Sequence, residues 1–572
     1  MLVVALLAAF TPSTFAYGDS TQQGSLATVK ARVACTKLEK VDLTAIGGAG
    51  SAVTEASAAT HHGSEVCSVT GRLAPNITFQ VRLPKTTWTQ RYLQLGCGGL
   101  CGHISLNAAA VDGCSLFDHN GFAVAATDMG HRGAPNDDGS WGLDPQQRVD
   151  FAYRAQHLTA LAAKALIEAF YGQPAKYAYF NGCSDGGREA MMEALRYPTD
   201  FDGIVAGAPA MLFQVQNTLY HAWQARSNTD SSGKVRLRSA RLPILHRAVL
   251  AACDELDGAK DGLISRPAAC NFDLRTITCA TRAADRSQCL TKTEAQVAQK
   301  FYDGPHDANT GVALTAGQPL YGSELEWAGV YVADKPTDPL MSTGAALAVI
   351  RHLAFERPQP QATLTTFQFS EGTLRKLRAR HRLFDSTSTD LFAFQHRGGK
   401  LILWHGLADP HIAPANTVAY HQGLVARFGQ RRVNGFERLY LLPGVAHCGD
   451  GQGPSAVDLL TPLMAWVEQD KAPEAIMTRS APRPAPARPT RSGRAHPRLA
   501  RSGPAHPRPA HPRPAQPVMT RPVYPFPSTA RYKGKGDVYD AANWEQGPPL
   551  PIVHVRPWAG SELFRPYAFR PR

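Results

Sequence analysis

The stretch Asn181-Gly182-Cys183-Ser184-Asp185-Gly186-Gly187 follows directly on the apolar-aromatic run Tyr177-Ala178-Tyr179-Phe180, and it constrains the chain more than any other segment. A serine framed by small residues between a strand and a helix demands a turn too tight for branched side chains. Glycine supplies the backbone freedom for it. Such a turn lifts the serine hydroxyl out at the end of a strand. Far downstream, in Leu441-Leu442-Pro443-Gly444-Val445-Ala446-His447-Cys448, a histidine is followed at once by a cysteine. The serine and the histidine thus each have a cysteine neighbour. If the two meet in space, Cys183 and Cys448 can bridge and pin them together. Small-residue turns are common; Cys-Ser matched by His-Cys is the sharper signal.

An acid completes the set. Lys400-Leu401-Ile402-Leu403-Trp404-His405-Gly406 reads as a buried parallel strand running into a turn, with Asp409 just beyond. The order Ser184, Asp409, His447 is that of catalytic triads on the α/β-hydrolase fold. In this reading Ser184 attacks a carbonyl, His447 takes and returns the proton, and Asp409 fixes the imidazole tautomer. His405 and His411 compete for the role of base, but neither has a cysteine beside it. The amide of Asp185, first after the nucleophile, is one oxyanion donor. The Gly-rich turn Leu95-Gly96-Cys97-Gly98-Gly99-Leu100-Cys101-Gly102, after a strand at 91–95, offers a second. No Lys-Ser/Thr follows that turn, which argues against a phosphate cradle.

The chain is organised around an insertion. Strand and helix signals alternate from 73 to 180: strands at 77–83, 91–95 and 122–127, a helix over 149–171, then the strand before Ser184. A helix is expected from about 187 to 195, and a strand closing on Val205-Ala206-Gly207-Ala208-Pro209. From 211 to 389 the rhythm is lost; it resumes at Lys400. The expected architecture is therefore α/β: an α/β-hydrolase core (17–210 and 390–478) with a large inserted lid domain (211–389) above the triad, where it can shape a pocket. Within the lid, Cys253-Asp254-Glu255-Leu256-Asp257-Gly258-Ala259-Lys260-Asp261-Gly262-Leu263-Ile264 spaces three aspartates by three and four residues among glycines. That suits a hard cation needing six to eight oxygens, although the spacing departs from an EF-hand.

The net charge of +13 suggests a polyanion partner until its distribution is read. Residues 479–521 hold ten arginines and no acid, and 547–572 hold four arginines and one glutamate, so these two segments account for the whole excess. The 479–521 segment also has eleven prolines and the repeat Arg-Ser-Gly-x-Ala-His-Pro-Arg, the composition of an extended or disordered linker. It would be followed by a last core segment at 522–546 and a basic tail at 547–572. No nucleic-acid partner and no stable membrane insertion are expected. Residues 1–16 read as a signal peptide, with an apolar run at 2–10 and a small-residue cleavage site at Thr14-Phe15-Ala16. Eleven cysteines point to an oxidising compartment, so the protein is expected to be secreted or periplasmic.

These residues carry a resemblance to the tannase and feruloyl esterase family. The matching runs are Gly-Cys-Ser-Asp-Gly-Gly-Arg-Glu at 182–189, Asp202-Gly203-Ile204-Val205-Ala206-Gly207-Ala208-Pro209, Trp404-His405-Gly406-Leu407-Ala408-Asp409, Pro443-Gly444-Val445-Ala446-His447-Cys448 and Ala530-Arg531-Tyr532-Lys533-Gly534. The resemblance implies a serine ester hydrolase that acts on small aromatic acid esters, feruloyl or galloyl, through an acyl-enzyme. It implies Gly99 as the second oxyanion donor. It also implies a structural Ca2+ in the lid, held by the side chains of Asp254, Asp257 and Asp261 and the carbonyls of Ala259 and Leu263. Position and resemblance together pair Cys35 with Cys67, Cys183 with Cys448, Cys253 with Cys270 and Cys279 with Cys289. Of Cys97, Cys101 and Cys114 at most two can then pair, leaving one free; a zinc reading of Cys97-x3-Cys101 is weak, because Gly-rich surroundings and three scattered thiols do not make a tetrahedral site. A C-terminal cysteine pair usual in the family is missing, its places held by Tyr524 and by Glu545 or Gln546. The competing reading is a catalytically inactive, calcium-stabilised envelope or polyanion-binding protein on the same fold, with peptidase or acyltransferase chemistry a lesser rival.

Overall fold

The structure is a computed structural model that describes residues 26–230, 234–280, 285–480 and 518–569. The signal segment and the Arg/Pro repeats lie outside the described residues.

Nine strands form the central sheet in the order β1-β2-β3-β5-β4-β6-β7-β8-β9. The first three, β1 (Ala52–His61), β2 (Ser64–Leu73) and β3 (Ile77–Pro84), are an antiparallel meander. β3 pairs antiparallel with β5 (Phe122–Thr127), and from there the sheet is parallel through β4 (Arg91–Leu95), β6 (Tyr177–Cys183), β7 (Gly203–Gly207), β8 (Lys400–Gly406) and β9 (Glu437–Leu442). Parallel strands covered on both faces need continuous apolar runs. β4 and β5 are buried along their whole length and β8 at every residue after Lys400. Helices Ala155–Tyr171, Asp185–Arg196, Pro414–Phe428 and Leu460–Gln469 pack on the sheet.

The long helix before β6 begins earlier than expected. Pro145–Val149 forms its first turn, with Asp144 as N-cap accepting from Gln146 N (2.7 Å), and a π turn at Asp150–Arg154 joins it to Ala155–Tyr171. The Asp-Pro start signal was present in the sequence; it lay upstream of the apolar periodicity. Gly172, at φ 70°, ends the helix with its amide on Glu168 O.

β7 and β8 are neighbours in the sheet, Gly203 opposite Lys400, so everything between them is an insertion. It has a hydrophobic core of its own around Leu245, Val249, Phe301, Trp327 and Tyr331. It rests on the turn after β8, where Tyr220 OH donates to Pro410 O (2.9 Å) and Gln216 bonds the His411 carbonyl.

The C-terminal expectations need two corrections. The limits set at 479 and 521 fall inside paired strands: β11 (Ile476–Arg479) runs antiparallel to β12 (Thr520–Val523), with Arg479 opposite Thr520 and β10 (Ala456–Val457) on the other side of β11. Nor is the segment after 547 simply a basic tail, because Ile552, Val553, Trp558, Leu563 and Phe564 are buried in the main core. Its arginines misled the reading; its spaced apolar residues decide the packing.

Candidate active site

Three turns meet at the carboxyl end of the parallel strands, where ligands bind in open α/β sheets. Ser184 follows β6 and caps the helix Asp185–Arg196 at φ 65°, ψ −122°, a strained conformation for a residue with a side chain. The strain is over-determined: Ser184 N–H donates to Gly207 O (3.0 Å) while Ser184 O accepts from Ala210 N (2.9 Å) and Arg188 N (3.1 Å). A Cβ at Gly182 would lie 2.2 Å from Gly186 O, so the elbow closes only around glycine there.

Asp409, fully buried beyond β8, collects four donors. Oδ2 accepts from His447 Nδ1 (2.7 Å) and faces His405 Nε2 (3.2 Å); Oδ1 accepts from the amides of His411 (2.8 Å) and Ile412 (3.1 Å). Burial alone would raise this carboxyl, but the adjoining His447 and His405 outweigh it and hold it well below the ordinary carboxylate range. Because the carboxylate can only accept, His447 carries its proton on Nδ1 and presents Nε2 as an acceptor.

His447 reaches the elbow through the Cys183–Cys448 disulfide, whose Cα atoms are 5.9 Å apart. The bridge joins the residue before the serine to the residue after the histidine. Among the described contacts no hydrogen bond yet links Ser184 Oγ to His447, the loose geometry common in substrate-free sites. The other three expected disulfides form as well, and so does Cys97–Cys101; Cys114 is the free cysteine, and it is buried.

The Gly-rich turn lies against the elbow helix, with Gly186 N donating to Cys97 O (2.7 Å). Gly99 sits at φ 62°, and a Cβ there would be 2.2 Å from Pro135 O. Among the described residues neither the Gly99 nor the Asp185 amide donates to another protein group. Behind the turn lies a dense ionic layer. Buried Arg188 grips Asp185 with two bonds (2.6 and 2.9 Å) and also donates to the carbonyls of Ala152 (2.9 Å) and Phe151 (3.1 Å), which belong to the π turn. Burial, reinforced by the Asp185 charge, pushes the Glu189 carboxyl well above the usual range.

Sequence reasoning left His405 and His411 as lesser competitors for the base and missed two features. His405 does not compete for the role of base: its Nε2 points at Asp409 Oδ2 and Ile412 O (3.1 Å), and Thr417 Oγ1 meets its Nδ1 (2.8 Å), so it braces the acid. His411 packs its ring 4.6 Å from that of His447. His221, from the insertion, sits 6.4 Å from His411; burial, with the nearby His447 charge, pushes it down to about 3, so it is neutral. Nothing local marks His221 in the sequence. The Arg188–Asp185–Glu189 layer was visible as charged residues in a helix, and its depth is set only by the fold.

The acidic loop of the insertion is closed by the Cys253–Cys270 bridge. Asp254 caps the amides of Asp261 and Gly262, Asp257 that of Ala259, and Asp261 that of Leu263. Asp261 Oδ2 also pairs with buried Arg521 (2.5 Å), which stacks on Trp544. Burial, with the Asp261 charge, pushes Asp257 up to about 6, and its Oδ2 is buried without a hydrogen-bond partner. The carbonyls of Ala259 and Leu263 accept no hydrogen bond among the described residues. This donor set fits a hard cation. Its carboxylates are not among the groups whose ligand atoms all lie within 4.8 Å of one another.

Sheet, elbow, buried acid and bridged histidine define an α/β-hydrolase with the machinery of a carboxylic ester hydrolase. The chain belongs to the tannase and feruloyl esterase family, whose model matches residues 58–546. It is 31% identical to mono(2-hydroxyethyl) terephthalate hydrolase of Piscinibacter sakaiensis, over 88% of each chain. It is also 31% identical to a probable feruloyl esterase of Arthroderma benhamiae, over 72% of this chain and 78% of that one. The crystal structure of feruloyl esterase B from Aspergillus oryzae shares the fold, with a TM-score of 0.72 at 23% identity, covering 88% of this chain and all of that one.

Proposed function

We propose that the protein is a secreted serine esterase that cleaves aromatic acid esters of the feruloyl or galloyl type through an acyl-enzyme. The observation that supports this is the Asp409–His447 hydrogen bond together with the Cys183–Cys448 bridge, which ties the residue after the histidine to the residue before the elbow serine. His447 Nε2 takes the Ser184 proton as Oγ adds to the ester carbonyl. The oxyanion turns toward the amides of Asp185 and Gly99. The imidazolium, stabilised by Asp409, then protonates the departing alcohol, and the same nitrogen activates the water that releases the acid. The aromatic preference rests on the substrates for which the two relatives are named. Secretion rests on five disulfides; among the described residues no helix is long and apolar enough to cross a membrane. The insertion serves as the lid, stiffened by Ca2+ on Asp254, Asp257, Asp261 and the carbonyls of Ala259 and Leu263.

Hydrolysis of 4-nitrophenyl acetate tests the mechanism. Ser184→Ala should lower turnover on the order of 10³-fold or more with the fold intact. Near-normal turnover would refute it. Methyl ferulate, methyl gallate and chlorogenate then test the acid side; no preference for any of them over 4-nitrophenyl acetate would remove the aromatic assignment while leaving the mechanism.

A further inference from the structure

The loop that carries Gly99 is clipped at its base by Cys97–Cys101, and the clip lies on a carboxyl it does not satisfy. Glu189 Oε1 is 2.7 Å from Cys97 Sγ and 3.3 Å from Cys101 Sγ; Cys101 Sγ is 3.5 Å from Asp185 Oδ2. While the sulfurs are bonded to each other they have no proton to donate, and Oε1, on a side chain 1% exposed, meets no N–H or hydroxyl donor among the described residues. Its partner oxygen Oε2 is served by the Cys97 amide (3.3 Å) and by Gln156 Nε2. All four ligand atoms lie within 4.8 Å of one another. A tetrahedral zinc site with ordinary Zn–S and Zn–O bonds has ligand-to-ligand edges of about 3.3–3.8 Å. The two Cys101 separations already match such edges.

We propose that the opened Cys97–Cys101 pair, with Glu189 and Asp185, is a binding site for a thiophilic divalent cation such as Zn2+. Opening consumes a dithiol, which gives up two electrons and two protons and leaves as a disulfide, or a phosphine together with one water, which supplies the two protons and the oxygen of the phosphine oxide that leaves. The cation then displaces the thiol protons and takes the thiolates as ligands. Two thiolates and two carboxylates exceed its charge, and Arg188, already on both oxygens of Asp185, offsets part of the surplus. The bridge closes a sequence separation of only 4 residues, against 265 for Cys183–Cys448. So short a loop removes little entropy from the unfolded chain, and this bridge therefore has less to hold it shut. A bound cation would fasten the Gly99 loop to the first turns of the elbow helix.

The test uses the full chain, treated with a mild phosphine under argon and titrated with Cd2+, followed by the ultraviolet sulfur-to-cadmium charge-transfer band. The reduced wild type should take up about one equivalent more than the Cys97→Ala/Cys101→Ala variant under the same conditions. In the wild type alone, Cd2+ should protect Cys97 and Cys101 from alkylation in peptide maps, a readout that stands even if the variant does not fold. Equal uptake by a folded variant, or equal alkylation of both cysteines with and without Cd2+, overturns the proposal. So does a bridge that opens only once circular dichroism shows the protein unfolded.

Discussion

Replacing Asp409 with asparagine changes one atom and should disable the site. Oδ1 receives the amides of His411 and Ile412, so the asparagine carbonyl oxygen will settle there and its NH2 will take the place of Oδ2. That NH2 then faces two imidazole nitrogens that both carry protons, His447 Nδ1 and His405 Nε2. Each ring must shift its proton to avoid a donor–donor clash. For His447 the proton moves to Nε2, which can no longer accept from Ser184. For His405 it moves to Nδ1, giving up the bond to Ile412 O for one to Thr417. The same exchange in a Ser-His-Asp protease lowers kcat about 10⁴-fold, which is about 5.5 kcal/mol at 1.36 kcal/mol per decade. The lost Ile412 bond should add about 1–3 kcal/mol of instability, read separately in a thermal melt. The assay is 4-nitrophenyl acetate hydrolysis by folded protein between pH 6 and 9. A loss of less than tenfold would show that Asp409 does not set the His447 tautomer.

The other expected outcomes concern the bridge, the lid loop and their pH dependence. Cys448→Ala should lower kcat more than it lowers helix content, and removing so long-range a bridge should cost up to about 5 kcal/mol by chain entropy; unchanged kcat would show that His447 needs no tether. In chelator, the raised Asp257 carboxyl binds protons more tightly in the folded than in the unfolded state, so stability should fall as pH rises from about 4 to 6. Excess Ca2+ should flatten that slope, and melting curves identical in calcium and EDTA across this range would reduce the loop to an acidic turn. Arg521→Met strands Asp261 in the interior and should destabilise the calcium-free protein by about 3–5 kcal/mol, less with calcium present; an equal loss in both conditions would separate Arg521 from the cation loop.

The catalytic turns were legible because each is written locally. Gly182, Ser184 and Gly186 spell an elbow, Lys400–Gly406 is an apolar strand that can only be buried, and His447 announces its partner through Cys448. The insertion was legible as a break in rhythm between Val205 and Lys400. What was not legible depends on burial or on distant pairing. His405 looks like any histidine near an acid until the turn after β8 places its Nε2 behind Asp409. Charge counting labelled 547–572 a tail, whereas Trp558 and Phe564 find a core only after the fold has made one. The fate of Cys97 and Cys101 was open in the sequence because three thiols competed, and location decides it: Cys101 lies in the main core beside Cys97, whereas Cys114 is buried in the separate cluster with Leu93 and Phe122.

The pairing of β11 with β12 has a consequence for how this chain can vary. Arg479 and Thr520 face each other across two strands, so the chain leaves the body and re-enters it at adjoining points. The described contacts that hold Ser184, Asp409 and His447 all come from residues outside the span between those points. The arginine- and proline-rich stretch lies between these two points in the sequence, outside the described residues. A short turn could replace it, or a different module could be spliced in, without moving Ser184, Asp409 or His447. The doorway between these two strands is where such an enzyme could gain or lose a means of attachment while its chemistry stays the same.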